Sequence, residues 1–215
     1  MRCFELLVFD WDGTLADSTG AIVACLQQAC ADLGLPIPAP ERARHVIGLG
    51  LEDSLAYIAP DLPRDEYGRL AERYRLHLLR QSTGLYPGTE AMLAGLLERG
   101  HRMAIATGKS SRGLARSLSE LGLTRYFSAW RCADQCTPKP APDMLTELME
   151  EFDVDAGRVL MIGDTTHDLQ MAGNAMVAAL AVCHGAHSRE SLQALQPLAC
   201  VEGTGELAQW LEQNG

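Results

Sequence analysis

Asp10 and Asp12 stand one residue apart in the run Asp10-Trp11-Asp12-Gly13-Thr14, directly after the apolar stretch Phe4 to Phe9. A carboxylate at the end of a buried strand can attack an electrophile, and a second one two residues on can exchange a proton with the leaving group. Gly13 allows a sharp turn just past the strand. With residue types at ordinary frequency, D-x-D-G-T arises by chance only a few times in ~1,000 chains of this length.

Gly163-Asp164-Thr165-Thr166-His167-Asp168 repeats the pattern of an apolar run closing on carboxylates. Asp164 could join Asp10 around a hard cation. Mg²⁺ binds through one or two carboxylates plus water and phosphate oxygens, so this ligand set suits it and does not suit zinc. Only two of the 18 basic residues are lysines, Lys109 and Lys139. Lys139 lies within Thr137-Pro138-Lys139-Pro140-Ala141-Pro142, where the prolines limit the backbone and can hold one point charge in place. Thr107-Gly108 offers a hydroxyl and an N–H at a helix N-terminus, an arrangement that binds phosphate. Lys109 is expected to point to solvent.

These residues need a scaffold that brings them together. Phe4 to Asp10, Met103 to Gly108, Val159 to Asp164 and Val177 to Val182 each read as a strand buried on both faces. Between them, Gly88 to Arg99, Ser110 to Leu121 and Asp143 to Phe152 carry apolar residues at helical spacing, with Ser110 and Asp143 placed to cap. Such alternation implies an α/β fold, a Rossmann-like parallel sheet whose ligands gather beyond the carboxyl ends of the strands. Ser18 to Gly84 breaks the alternation with helical stretches at Thr19 to Leu33, Pro40 to Ala59 interrupted near Gly48, and Arg64 to Gln81. The expected organisation is a core of residues 1–15 and 85–215 with an all-helical insertion, residues 16–84.

Composition excludes several classes. A net charge of −10 opposes docking on nucleic acid or anionic lipid. No apolar run approaches the ~20 residues that span a bilayer. The opening MRCFELLVFDWD meets acidic residues too early for a signal peptide, so a cytoplasmic protein is expected. Seven cysteines without a small-secreted-domain pattern read as reduced thiols, Cys132 and Cys136 included.

DWDGTLADS, TG, KP and GDTTHD, in that order, resemble the haloacid dehalogenase superfamily over nearly the whole chain. The insertion after the first element resembles the helical-cap subgroup, and Val46 to Leu55 is similar to the Gly-containing cap loop of phosphoglycolate-phosphatase-type members. The resemblance implies a Mg²⁺-dependent phosphatase acting on a small phosphorylated metabolite. It implies that Asp10 is the nucleophile and Asp12 the general acid/base. Asp10, the main-chain carbonyl of Asp12, and Asp164 would hold the metal with Asp168 in support, while Thr107, the Gly108 amide and Lys139 would hold phosphoryl oxygens. Asp12 argues against dehalogenation, because a departing halide needs no proton.

A sugar-phosphate mutase on the same core is the second reading, and a phospho-accepting signalling module is an alternative of another class. Substrate choice falls to the insertion, where Arg44 and His45 are expected to reach a substrate carboxylate or hydroxyl. The run Arg64, Arg69, Arg73, Arg75 and Arg80, interleaved with acids, reads as a solvated helix face. His184 follows the last core strand without an assigned role, and monomer and dimer are both compatible with the sequence.

Overall fold

Alternation along the first strand decides the architecture. In the computed structural model, which describes residues 4–215, β1 (Leu6–Phe9) is buried on both faces. Leu7 and Phe9 enter one apolar layer; Leu6 and Val8 enter another. Successive side chains of a strand point to opposite sides, so a strand without a polar position must be covered twice.

The other strands are β2 (Arg102–Thr107), β3 (Ala129–Cys132), β4 (Val159–Gly163), β5 (Ala178–Val182) and β6 (Cys200–Val201). Among the described residues they form one sheet in the order β3-β2-β1-β4-β5-β6, and each of these pairings is parallel. Helices α5 (Thr89–Glu98), α6 (Ser111–Glu120) and α10 (Thr204–Asn214) cover the Leu7/Phe9 face. Helices α7 (Asp143–Phe152) and α8 (Thr166–Asn174) cover the Leu6/Val8 face. A short α9 (Arg189–Gln193) follows β5.

The α/β class and the four expected strands are present. The strands β3 and β6 went unread because they are short: β3 carries Trp130 and Arg131 half-exposed in its middle, and β6 has two residues. Ser110 caps α6 by accepting from Gly113 N. Asp143 does not cap α7. It is the first helical residue after Pro142, and its carboxylate instead accepts from Thr137 Oγ1 at 2.6 Å.

Between β1 and β2 come α1 (Thr19–Asp32), α2 (Pro40–His45), α3 (Leu51–Ile58) and α4 (Tyr67–Leu78). Their apolar faces share a separate core that includes Leu26, Val46, Leu55 and Leu70. The expected interruption falls at residues 46–50, where Gly48 takes φ 92°. The two chain crossings that join these helices to the sheet bond to each other, Asp17 N to Gly84 O at 3.0 Å and Tyr86 N to Leu15 O at 3.0 Å. No helix among the described residues is long and apolar enough to cross a membrane. The six described cysteines are all free, as expected; Cys3 lies outside the described residues.

Leu70 is fully buried in α4. We expect Leu70→Ala to cost about 2–5 kcal/mol in urea-monitored unfolding, the range for a leucine cavity in a packed core. A much smaller loss would mean that the four helices do not share one core.

Candidate active site

Parallel register assembles the site. Phe9 pairs with Ile105 of β2 and with Ile162 of β4. Asp10 lies one residue past this register and Thr107 and Asp164 two residues past it, so all three emerge at the carboxyl edge. The strand order reverses at β1, which is where a doubly wound sheet opens its crevice.

Asp10, Asp164, Asp168 and Lys139 are each fully buried. The Lys139 ammonium donates to Asp10 Oδ1 at 2.7 Å and to Asp168 Oδ1 at 2.6 Å. Asp168 Oδ2 accepts from Thr165 N and Thr165 Oγ1, while Asp168 N donates to that hydroxyl, a capping box at the start of α8. Asp164 Oδ1 accepts from Thr14 Oγ1 at 2.7 Å and its Oδ2 from Ala186 N at 2.7 Å. Asp10 Oδ2 is buried without a hydrogen-bond partner.

Charge balance in this cluster is unfavourable. Burial pushes the Asp10 carboxyl up to about 7 against the pull of Lys139, and Asp168 and Asp12 push the same way. Burial, then the charges of Asp10 and Asp168, hold Asp164 well above the ordinary carboxyl value. For Lys139 burial favours the neutral amine, but the two carboxylates overcome this and leave its pKa raised. Ligand oxygens of Asp10, Asp164 and Asp168 all lie within 4.8 Å of one another, an all-oxygen set of the kind hard cations take.

Asp12 has different company. Its Oδ1 accepts from Ser18 Oγ at 2.8 Å, and its carboxylate takes Lys109 Nζ at 2.9 and 3.0 Å. Lys109 is therefore not the solvent-facing lysine expected from the sequence. Its side chain is 14% exposed and folds back over the site to pair with Asp12. The signal was present, since Lys109 follows Thr107-Gly108 directly and is one of very few lysines.

A cavity of about 290 Å³ opens above Asp10, Asp12, Thr107, Gly108 and Lys109 and is roofed by the helices of the insertion. Residues 46–49, Ser54, Tyr74 and Arg75 line it from that side. Arg44 and His45 do not line it. Both are exposed at the end of α2, and the His45 ring packs against His167 and His187. Arg75 belongs to the arginine run read as a solvated face; it is exposed, yet it borders the cavity, because one turn of α4 faces the sheet edge. Gly108 has no room for a side chain: a Cβ there would lie 2.4 Å from Leu49 O and 2.5 Å from Gly48 O. His184 accepts no role in this cluster; its Nε2 lies 3.2 Å from Thr14 O and its ring packs on Tyr86. Trp11 is buried in the core. Burial raises the thiols of Cys132 and Cys136, to about 12 and about 11, so both are neutral.

A doubly wound sheet with buried carboxylates and a buried ammonium at its switch point, roofed by inserted helices, is the architecture of an α/β enzyme, and its three carboxylates could hold a metal ion. The chain belongs to the haloacid dehalogenase-like hydrolase family, whose model matches residues 7–182. It is 36% identical over 209 residues to a Dickeya dadantii protein named "Probable phosphatase IndB", covering 94% of this chain and 91% of that one. It is 32% identical over 215 residues to a phosphoglycolate phosphatase of Vibrio parahaemolyticus, covering 94% of each. A haloacid dehalogenase-like hydrolase structure from Bacteroides fragilis superposes with a TM-score of 0.88 at 25% identity, over 95% of this chain and 99% of that one.

The buried carboxyls make stability depend on pH and cation. Because folding raises the Asp10 and Asp164 pKa values, the folded chain keeps protons that the unfolded chain has released. Without divalent cations, the melting temperature should fall as pH rises from the ordinary carboxyl value of 3.8 through about 7. Saturating Mg²⁺ at pH 8 should restore about 2.7 kcal/mol at a hundredfold excess over its Kd. A melting temperature flat in pH and indifferent to Mg²⁺ would contradict this charge balance. Gly108→Ala should destabilise the protein by about 1–3 kcal/mol, the cost of overpacking, and lower turnover at least about tenfold, because a displaced loop misplaces the reacting groups.

Proposed function

We propose that this chain is a Mg²⁺-dependent phosphatase that hydrolyses a small phosphomonoester of the phosphoglycolate type through an aspartyl-phosphate on Asp10. The observation that carries the reading is Asp10 Oδ2, a buried oxygen without a partner on a residue that lines the cavity. Phosphatase names among the relatives support the same reaction class.

The residues fit a divalent cation. Asp10, Asp164 and Asp168 set three buried carboxylates against the single ammonium of Lys139, an excess of negative charge that a dication balances. Asp10, Asp164 and the main-chain carbonyl of Asp12 would hold the ion. Asp168 would support it through Lys139, since both its oxygens already accept hydrogen bonds. Bound there, the cation supplies positive charge against the repulsion between a phosphate dianion and Asp10.

The protein's own groups supply the rest. Lys139 holds Asp10 Oδ1, leaving Oδ2 to form the bond to phosphorus as the ester P–O bond breaks. Thr107, the Gly108 amide and Lys139 hold the other phosphoryl oxygens. Asp12 protonates the departing alkoxide, then takes a proton from the water that attacks phosphorus and frees Asp10. Ser18 and Lys109 orient the Asp12 carboxylate as the base of the second transfer; to act as the acid of the first, Asp12 takes up a proton with Lys109 turned away from it. Arg75, Tyr74 and Ser54, on the insertion side, take the place expected of Arg44 and His45 in reading the organic part of the substrate.

The test is release of inorganic phosphate from phosphoglycolate and a panel of sugar and nucleoside monophosphates with Mg²⁺. Multiple turnovers are expected from the wild type, and Asp10→Asn should lower kcat by a factor of about 10³ or more while keeping the native melting curve. Near-normal turnover in that variant removes the nucleophile, and a single stoichiometric phosphorylation points to a phospho-accepting module.

A further inference from the structure

Three histidines meet beside the first turn of α8. His45 closes α2 in the insertion, His167 sits in the first turn of α8, and His187 follows β5. Their ring centres form a nearly equilateral triangle, 5.2 Å from His45 to His167, 5.4 Å from His45 to His187 and 5.1 Å from His167 to His187. One ligand nitrogen from each lies within 4.8 Å of the other two. Three imidazoles on one tetrahedral ion, with metal–nitrogen bonds of about 2.0 Å, hold their ring centres about 5 Å apart.

The nitrogens also converge. His167 Nε2 lies 2.7 Å and His187 Nε2 3.2 Å from the same atom, the carbonyl oxygen of His45. That carbonyl ends α2, so it brings a further oxygen donor to the point at which both rings aim. An outer partner is in place as well. Thr166 N donates to His187 Nδ1 at 3.0 Å, and Thr166 Oγ1 lies 3.1 Å from that nitrogen. In this metal-free form Nδ1 therefore accepts and Nε2 carries the proton, which a metal on Nε2 would displace.

We infer that His45, His167 and His187 form a second metal site, for a borderline transition-metal dication such as Zn²⁺, separate from the carboxylate centre and joining the inserted helices to the core. Nitrogen donors select Zn²⁺, Co²⁺, Ni²⁺ or Cu²⁺ over Mg²⁺, so the two centres sort cations by ligand chemistry. His167 and His187 belong to the core, whereas the exposed His45 is the adjustable third arm on the insertion. An ion bound by all three ties the end of α2, and with it the 46–50 loop over the cavity, to α8. Closure that the cation holds in place slows substrate entry and product release.

The experiment titrates Zn²⁺ into the full-length protein in saturating Mg²⁺, by calorimetry, and repeats the titration with Co²⁺ to read the visible spectrum. One equivalent is expected, with the intense bands of four-coordinate Co²⁺, retained in Asp10→Asn and weakened about 100-fold or more in His187→Ala and in His45→Ala. The His45 substitution lies on an exposed side chain, so it tests the site even if His187→Ala unfolds. Failure to bind Zn²⁺ in the presence of Mg²⁺, unchanged affinity in His45→Ala, or loss of the equivalent in Asp10→Asn would each overturn the site. Zn²⁺ inhibition of phosphomonoester turnover that His45→Ala escapes supports the closure step; equal inhibition in both proteins overturns it. The binding measurements stand independently of the phosphatase reading, because they need no turnover.

Discussion

One ammonium among buried carboxylates is the constraint on which the rest of this structure depends. Lys139 is fully buried and bonds both Asp10 and Asp168. Removing one partner from such a buried pair leaves a charge without compensation, at a cost of about 3–5 kcal/mol. The surroundings are built to keep Lys139 in place. Asp168 is fixed by the Thr165 capping box, and a Cβ on Gly163 would lie 2.4 Å from Asp168 Cγ, so the end of β4 must be glycine for that carboxylate to fit. Here a helix cap, usually a device of local stability, sets the position of a lysine on another loop.

Asp164 is confined in the same way. A Cβ at Gly13 would come within 2.2 Å of Asp164 Oδ2 and one at Gly185 within 2.1 Å, and Gly13 also has φ 89°. Backbone from two loops thus closes on a carboxylate that already receives the Thr14 hydroxyl and the Ala186 amide. These bonds orient the group without neutralising it. The site keeps its negative excess, which is a cost to folding, and the large apolar layers on both sheet faces offset that cost.

Much of this could be read in the sequence because the signals were local. A four-residue strand buried on both faces, a carboxylate at its end and a glycine that must turn are neighbours in the chain, and so are the Thr165 cap and Asp168. Long apolar-periodic helices were equally plain. What escaped depended on distant groups. Lys109 looked like a surface lysine until folding put it beside Asp12, 97 positions away. Arg75 is one of five similar arginines, and nothing in its own neighbourhood says that its turn of α4 borders the cavity. Arg44 and His45 precede the glycine loop in sequence, but α2 ends there and carries His45 toward α8 instead of the cavity. The edge strands β3 and β6 were missed because strands so short, β3 with Arg131 inside it, lack the continuous apolar run that marked the central ones.

The loop at residues 46–50 connects these levels. Gly108 faces the Gly48 and Leu49 carbonyls, and a Cβ would lie 3.2 Å from Thr165 Oγ1 if placed on Gly48 and 3.0 Å from the Pro138 ring if placed on Gly50. One short segment of the insertion thus touches all three core loops that carry Thr107, Lys139 and Asp168. The contacts run through backbone and small residues, which leaves little slack between the segment and the core. Motion of the inserted helices must then either carry this segment away from the sheet edge as a unit or leave the cavity shut. The segment borders the cavity through residues 46–49, while Ser54, Tyr74 and Arg75 border it from α3 and α4, so a single movement of the insertion would displace both sets of groups from above Asp10.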